Sequence, residues 1–158
     1  MRKQIIPFLF LAGIMLQSCG KDYAYQKEYE ISGMAWDYVD TLNFNFEIED
    51  TLILYNLYLQ VEHIQDYAYQ NLYTKISTKF PKGELLAEVL SLELADKMGN
   101  WEGQCSGGVC KLTIPIQENA YFNENGEYQI TIEQFMRKSP LVGIRKIGFV
   151  LEKTSKSK

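Results

Sequence analysis

Apolar and polar residues alternate along most of this 158-residue chain. A period of two indicates β-strands with one buried face, because successive side chains of a strand point to opposite faces of the sheet. The pattern recurs in about eight segments that are separated by turns rich in Gly, Pro, Asn and Asp. These segments are a short one near 28–32 and then 42–48, 57–61, 72–80, 90–94, 112–116, 128–132 and 147–151. We therefore predict an all-β fold, an antiparallel β-sandwich of the jelly-roll or immunoglobulin-like type.

The first residues predict an export signal. Arg2 and Lys3 precede a nearly continuous apolar run from 5 to 16, and Leu-Gln-Ser-Cys follows at 16–19. The run is shorter than the roughly 20 apolar residues of a spanning helix, and its order of parts is that of a secretory signal. Because it ends on a small residue before Cys19, it resembles a bacterial lipoprotein signal that is cleaved there, with lipid added to the thiol. Cleavage without lipidation is the weaker alternative, since it leaves that thiol without a use.

This reading divides the chain into four parts. Residues 1–18 are the signal peptide, 19–27 a lipidated tether, 28–152 the β-sandwich domain, and 153–158 a basic tail that we expect to be disordered. A hydrophobic content of 46% and a charged content of 23% are ordinary for a chain that buries one core. The precursor has 16 basic against 20 acidic side chains, and no basic patch with interleaved aromatic residues, so we expect no nucleic-acid partner.

Two cysteines remain after Cys19. Cys105 and Cys110 flank a Gly-Gly pair that supplies a turn, and a pair of cysteines in an exported chain predicts a disulfide. The alternative is a metal site made of thiolates. These two cysteines and the distant His63 are too few for a closed zinc site, which takes about four ligands, so we predict the disulfide and no metal.

The sequence contains no catalytic motif that we can identify, and we expect no enzyme activity and no cofactor. His63 ends an alternating segment, where a half-buried or capping role is usual. Loop carboxylates could be paired for glycoside hydrolysis, but no spacing singles out a pair among Asp37, Asp40, Asp66 and Asp96. Turns favour Asp strongly, so we interpret these residues as turn formers.

Three blocks of sequence resemble the GldH gliding-motility lipoprotein family of the Bacteroidetes. They are Asp-Tyr-Ala-Tyr-Gln-Asn-Leu at 66–72 with Leu-Glu-Leu-Ala-Asp-Lys-Met-Gly-Asn-Trp-Glu-Gly at 92–103, Glu-Gln-Phe-Met-Arg at 133–137 with Pro-Leu-Val-Gly at 140–143, and Ile-Gly-Phe-Val-Leu-Glu at 147–152. The segment from Cys105 to Cys110 departs from that pattern. The resemblance implies an envelope lipoprotein needed for gliding, with no known reaction or ligand.

Two hypotheses of function follow. The first is a lipid-anchored, non-enzymatic component or accessory of the gliding and associated secretion machinery, which acts through contacts with envelope proteins. The alternative is a surface glycan-binding module on a jelly-roll frame, in which aromatic side chains hold sugars. In either case we expect a membrane attachment through the lipid, in the outer membrane, facing the periplasm or the cell surface.

Counting strands predicts which loops share an end of the sandwich. Successive antiparallel strands reverse direction, so the loops 33–41, 64–70, 96–109 and 136–145 should lie far from the lipid, and 50–52, 81–86 and 118–125 near it. The far loops carry aromatic and Arg side chains of the kind that anchor interfaces: Trp36, Tyr38, Tyr67, Tyr69, Trp101 and Arg137. They predict a docking face; the alternative is that the aromatic residues plug the open end of the core.

Two Asp-Thr-Leu triplets resemble the site at which exported Bacteroidetes proteins are O-glycosylated. The acceptors would be Thr41 and Thr51. Each triplet also stands where a strand begins, and Asp-Thr is an ordinary pair there, so both interpretations stay open.

Overall fold

The computed structural model describes residues 20–158, so the predicted signal peptide, 1–18, and the lipidation site Cys19 lie outside the described residues. Within this range the chain forms β1 Tyr23–Glu30, a 3-10 turn Ser32–Met34, β2 Ala35–Trp36, β3 Leu42–Ile48, β4 Ile53–Ile64, β5 Asn71–Lys79, β6 Leu85–Glu93, β7 Gln104–Ser106, β8 Val109–Ala120, β9 Gly126–Gln134, β10 Leu141–Val142 and β11 Ile144–Ser157. No helix among these residues is long and apolar enough to cross a membrane.

The strands form two antiparallel sheets that pack face to face. The first sheet has the order β1-β11-β4-β8-β7 and the second the order β3-β9-β5-β6, while β10 and β2 form a separate ribbon. Neither sheet closes into a barrel, because each ends in an edge strand on both sides. The prediction of an all-β antiparallel sandwich is confirmed.

Aromatic side chains from both sheets meet in the core. Phe46 of β3 stacks on Tyr128 of β9 at 5.8 Å between ring centroids. Across the sandwich it reaches Phe149 of β11 at 5.7 Å, and Phe44 reaches the same ring at 5.8 Å. Aromatic pairs at this spacing add about 0.5–1.5 kcal/mol each beyond the area that they bury. This cluster therefore fixes how the two sheets face each other.

All eight predicted strands are present, and three short ones, β2, β7 and β10, are added to them. The first strand starts earlier than expected. Residues from Tyr23 onward, which we assigned to a tether ending at 27, pair with β11 from Glu152 back to Lys146. Tyr25 explains the extension, because its half-buried ring packs on Phe46 at 5.6 Å.

The basic tail, residues 153–158, is the second difference from the expectation. It continues β11 as far as Ser157 instead of being disordered. Lys153 lies opposite Tyr55 and Ser157 opposite Ile53 in the register with β4. The tail has no apolar alternation of its own; the backbone of the long neighbouring strand β4 holds it.

The predicted disulfide is confirmed. Cys105 and Cys110 face each other in the β7–β8 hairpin and are bonded. Gly107 and Gly108 form the turn, and both have positive φ, +59° and +81°. A two-residue hairpin turn of this kind demands such angles at both positions, which glycine adopts without strain.

The disulfide should add only modest stability because it closes a short loop. Replacing both cysteines, Cys105→Ala with Cys110→Ala, should lower the free energy of unfolding by about 2 kcal/mol on the chain-entropy estimate. Urea titration of both proteins measures the difference, and mass spectrometry of the alkylated, unreduced wild type should find no free thiol at either position. An unchanged urea midpoint would contradict the stabilising role.

Candidate functional site

The strand register places four loops at the end of the sandwich that is opposite Tyr23, and we call this end the distal pole. In the first sheet, Ile64 at the end of β4 lies beside Val109 at the start of β8, and His63 lies opposite Ile144 at the start of β11. The loops at this end are 31–41, 65–70, 94–103 and 135–143. The structure thus brings together the loops that strand counting assigned to one end. The near pole holds 49–52, 80–84, 121–125 and both ends of the described chain.

Backbone hydrogen bonds join these four loops. The Gly143 amide donates to the Met34 carbonyl at 2.8 Å, and the Ile64 amide donates to the Gly143 carbonyl at 2.9 Å. On the other side, the amides of Leu94 and Ala95 both donate to the Gln70 carbonyl. The distal pole is therefore a connected platform and not a set of independent loops.

Two of the six predicted docking residues lie inside this platform. Trp36 is fully buried, and its indole N–H donates to the Asp40 carbonyl at 2.7 Å. Tyr67 is also buried, and its hydroxyl donates to the Asn71 carbonyl at 3.3 Å. Burial raises the pKa of the Tyr67 phenol far above its usual value. Because a buried ring offers no surface to a partner, these two residues plug the end of the core, as the alternative interpretation holds.

Trp101 and Tyr69 are half-buried and cover His63 and Tyr67. The Trp101 ring lies 4.5 Å from the His63 ring, and its N–H donates to the Gln65 carbonyl at 3.0 Å. Tyr69 meets Tyr67 edge to face at 5.6 Å. Each therefore presents one edge outward while its remaining surface supports the platform.

Tyr38 and Arg137 are the two predicted residues that are exposed. The Tyr38 hydroxyl donates to the Met136 carbonyl at 2.7 Å, and the Tyr38 amide donates to the Ser139 hydroxyl at 3.0 Å. These bonds tie the loop 31–41 to the loop 135–143 and hold the Tyr38 ring in place on the surface.

Four further exposed apolar side chains lie on the same two joined loops, and the sequence analysis missed them. Val39 is 82% exposed, and Met34, Phe135 and Val142 are exposed as well. With Tyr38 they form what we call the distal apolar patch: Met34, Tyr38, Val39, Phe135 and Val142. Isolated Val, Met and Phe in loops give no signal in the sequence, since the usual inference places such residues in the core. Exposed apolar residues gathered on joined loops make this surface a candidate for contacts with another molecule.

Within residues 20–158, His63 has the surroundings of a core side chain. It is fully buried, its Nδ1 donates to the Ile64 carbonyl at 2.8 Å, and its Nε2 has no hydrogen-bond partner in residues 20–158. Burial lowers the pKa of the imidazole, so the ring is neutral at pH 7. A general base needs a nucleophile within hydrogen-bond reach, whereas the nearest ring here belongs to Trp101.

Charged groups next to His63 form a structural ion cluster. The buried Glu62 carboxylate lies 2.9 Å from Arg145 and 3.0 Å from Lys111. Two cations around one carboxylate compensate the cost of burying it, and removing either would leave a charge poorly paired. Among the residues that the structure describes, no group of three or more His, Cys, Asp and Glu side chains is placed to hold a metal ion.

Three of the four loop carboxylates, Asp37, Asp40 and Asp96, accept hydrogen bonds within or between turns. Asp96 accepts hydrogen bonds from the Met98 and Asn100 amides and from the Asn100 side chain, and the Asn100 bonds lower its pKa. Asp37 accepts from the Ser139 hydroxyl at 2.7 Å and from the Tyr38 amide.

Of the possible glycosylation sites, Thr41 is exposed at the distal pole and Thr51 is half-exposed at the near pole. Their modification stays a prediction.

Comparison with known proteins gives matches along nearly the whole chain. The family described as GldH lipoprotein matches residues 23–151. A protein of Christiangramia forsetii named gliding motility lipoprotein GldH homolog is 33% identical over 98% of this chain and 99% of its own length. The gliding motility lipoprotein GldH of Flavobacterium johnsoniae is 27% identical over 96% and 98% of the two chains.

Solved structures give only weak likeness. A 4-O-methyl-α-glucuronidase with specificity for decorated arabinogalactans is 14% identical, over 82% of this chain and 14% of that one, with a TM-score of 0.32. That value is too low to support an argument about either fold or function.

The difference in burial predicts that two tyrosines of the distal pole contribute unequally to the free energy of unfolding. Tyr67→Ala should lower the free energy of unfolding by about 3 kcal/mol, because it leaves a cavity under the platform. Tyr38→Ala should lower it by only about 1 kcal/mol, since the ring is half exposed and the main loss is its hydrogen bond to the Met136 carbonyl. Urea unfolding of both variants measures the contrast, and equal losses would show that Tyr38 is part of the core as well.

Proposed function

Because this chain belongs to the GldH lipoprotein family, we propose that it acts in gliding as a non-enzymatic, lipid-anchored envelope protein that binds protein partners through its distal apolar patch. The observation that carries the proposal is the near-complete match to relatives named gliding motility lipoproteins, 99% and 98% of their lengths. A gliding-motility lipoprotein is anchored in the cell envelope, and we place this one in the outer membrane.

The geometry of the domain supports the choice of surface. The described chain starts at the near pole, where Asp22 accepts a hydrogen bond from the Lys153 amide at 2.8 Å. A lipid on Cys19 would hold this pole beside the bilayer, so the distal pole would face away from it. The distal apolar patch thus lies at the pole away from the proposed anchor, where it is open to another protein.

The composition of the patch supports a protein partner. Interface anchors are enriched in Tyr, Met, Phe and Arg, and the patch offers Tyr38, Met34 and Phe135, with Arg137 on the same loop as Phe135. The hydrogen bonds of Tyr38 to the Met136 carbonyl and the Ser139 hydroxyl hold this surface in one arrangement before binding. A pre-arranged surface loses less conformational entropy on association than a mobile one.

A charge placed in the patch tests the proposal. Val39→Glu puts a carboxylate at a position that is 82% exposed, so the fold should be kept while the apolar contact is lost. Cells that carry this variant in place of the wild type should lose colony spreading and movement on glass by about tenfold or more, as expected when a charge enters an interface core.

The matched control is Leu52→Glu, which makes the same kind of change at an exposed apolar residue of the near pole. Gliding should be normal with this variant, and both variants should keep the wild-type level and melting temperature. Normal gliding with Val39→Glu would contradict the role of the patch. Retention of the purified domain on polysaccharide, with no envelope protein crosslinked to it, would favour the glycan-binding alternative.

The anchor is tested separately through Cys19. A diacylated and N-acylated cysteine holds a protein firmly, at about 0.8 kcal/mol for each buried methylene, so Cys19→Ser should release a folded domain into the soluble fraction. Cys105→Ala with Cys110→Ala is the control: it removes the other two thiols and should leave the protein with the membranes. Sedimentation of the Cys19→Ser variant with membranes in high salt would contradict the lipid anchor.

A further inference from the structure

Strand β6, Leu85–Glu93, is an edge of the second sheet and is rich in apolar residues. It pairs with β5 on one side, and within residues 20–158 no strand pairs with its other side. Six of its nine residues are apolar, and the carboxylates Glu88 and Glu93 are its only charges. Edge strands usually carry charges or Pro that discourage pairing, and three of the exposed positions of β6 are instead large apolar residues, Leu85, Leu86 and Val89.

The other long edge strands of the sandwich follow that usual rule. The outer face of β3 carries Asn43, Asn45 and Glu47, and β8 has Pro115 in the part that extends beyond β7. At the opposite side of the sandwich the two sheets are joined, because the Tyr29 hydroxyl of β1 donates to the Asn43 carbonyl of β3 at 2.6 Å. Among residues 20–158 no strand pairing joins β6 to the first sheet.

Exposed apolar residues lie on both faces of β6, together with the exposed polar residues Glu88, Ser91 and Glu93. Leu85 and Val89 lie on the outer face of the sheet and are 74% and 48% exposed. Leu86, on the face toward the first sheet, is 59% exposed and lines a cleft of about 350 Å³ between β6 and β8. The cleft floor is apolar, with Ile76 and Ile116 among its residues.

The backbone of β6 offers a free row of hydrogen-bonding groups. The Phe80 amide donates to the Glu84 carbonyl, and the Leu94 amide donates to the Gln70 carbonyl. In an antiparallel ladder the bonded positions alternate, so the even-numbered residues from 84 to 94 bond to β5. The N–H and C=O groups of the odd-numbered residues, 85 to 93, therefore point outward, where a further strand could pair with them.

The carboxylates that line the cleft indicate that an added strand must carry a positive charge. Its lining includes the carboxylates of Glu84, Glu88 and Glu124 and no Lys or Arg, and of the three only Glu124 has a cation, Lys82, beside it. Covering the cleft would take Glu88 out of water. A carboxylate that is desolvated without a cation costs several kcal/mol, so the occupant must bring one.

We propose that β6 is a docking edge for an extended segment of another protein, with alternating apolar side chains that fill the cleft and a Lys or Arg that pairs with Glu88. The segment adds a fifth strand to the second sheet. Pairing of β6 with the β6 of a second copy does not meet the requirement, because residues 83–96 hold four carboxylates and no Lys or Arg. This surface is separate from the distal apolar patch, so a failure at one does not decide the other.

The test uses the mature, lipid-carrying chain in nanodiscs and two synthetic peptides as long as β6, nine residues. Both alternate valine with threonine; one has a central lysine and the other a central glutamate. The lysine peptide should bind about tenfold more tightly by fluorescence anisotropy, as expected for a close charge pair across an interface. Hydrogen exchange should then show protection of the outward amides of Leu85, Ala87 and Val89.

Charge exchange separates this pairing from general adhesion. Glu88→Lys should reverse the preference, so that the glutamate peptide binds more tightly, while Glu93→Lys on the outer face of the same strand should leave the preference unchanged. Equal affinity for the two peptides, no binding of either, or protection elsewhere would overturn the proposal. A concentration-dependent dimer of the wild type that Val89→Lys abolishes would overturn it too, since the occupant would then be a second copy.

Discussion

The packing of Phe46 between Tyr128 of its own sheet and Phe149 of the other sheet is the contact on which the architecture depends. It holds the two sheets face to face toward the near pole, where β3 ends and β9 begins. A sandwich of two sheets has two open ends and two open sides, and the chain can cover each of them or leave it exposed to solvent. The functional surfaces proposed for this protein lie where the chain leaves apolar groups exposed.

At the distal pole, buried aromatic rings fill the end of the core, and hydrogen-bonded loops cover these rings on the outside. Trp36 and Tyr67 fill the end of the core, and the hydrogen bond from Gly143 to Met34 connects loops that come from opposite parts of the chain. Because the buried rings complete the core, the side chains on the outer surface of the loops are not needed for core packing. Val39 and Tyr38 can therefore stand in solvent on a rigid support, which is the condition for a specific apolar contact.

One side of the sandwich is closed and the other is open. Tyr29 closes one side by its bond to the Asn43 carbonyl, whereas β6 and β8 leave a cleft on the other. With the distal apolar patch this gives the domain two separate surfaces that we propose for partners, one at the end away from the proposed anchor and one along an edge. The two proposed contacts lie on different parts of the domain, so neither blocks the other.

The sequence by itself determined the fold class, the eight long strands, the disulfide and the grouping of loops at one end, because a period of two and short turns are local properties. It did not determine which loop residues are buried. Tyr38 and Tyr67 both stand in aromatic loops, yet one is exposed and the other is in the core. The tail at 153–157 became a strand only because β4 extends beside it. Burial and pairing depend on the neighbour that arrives from elsewhere in the chain, so only the tertiary structure decided them.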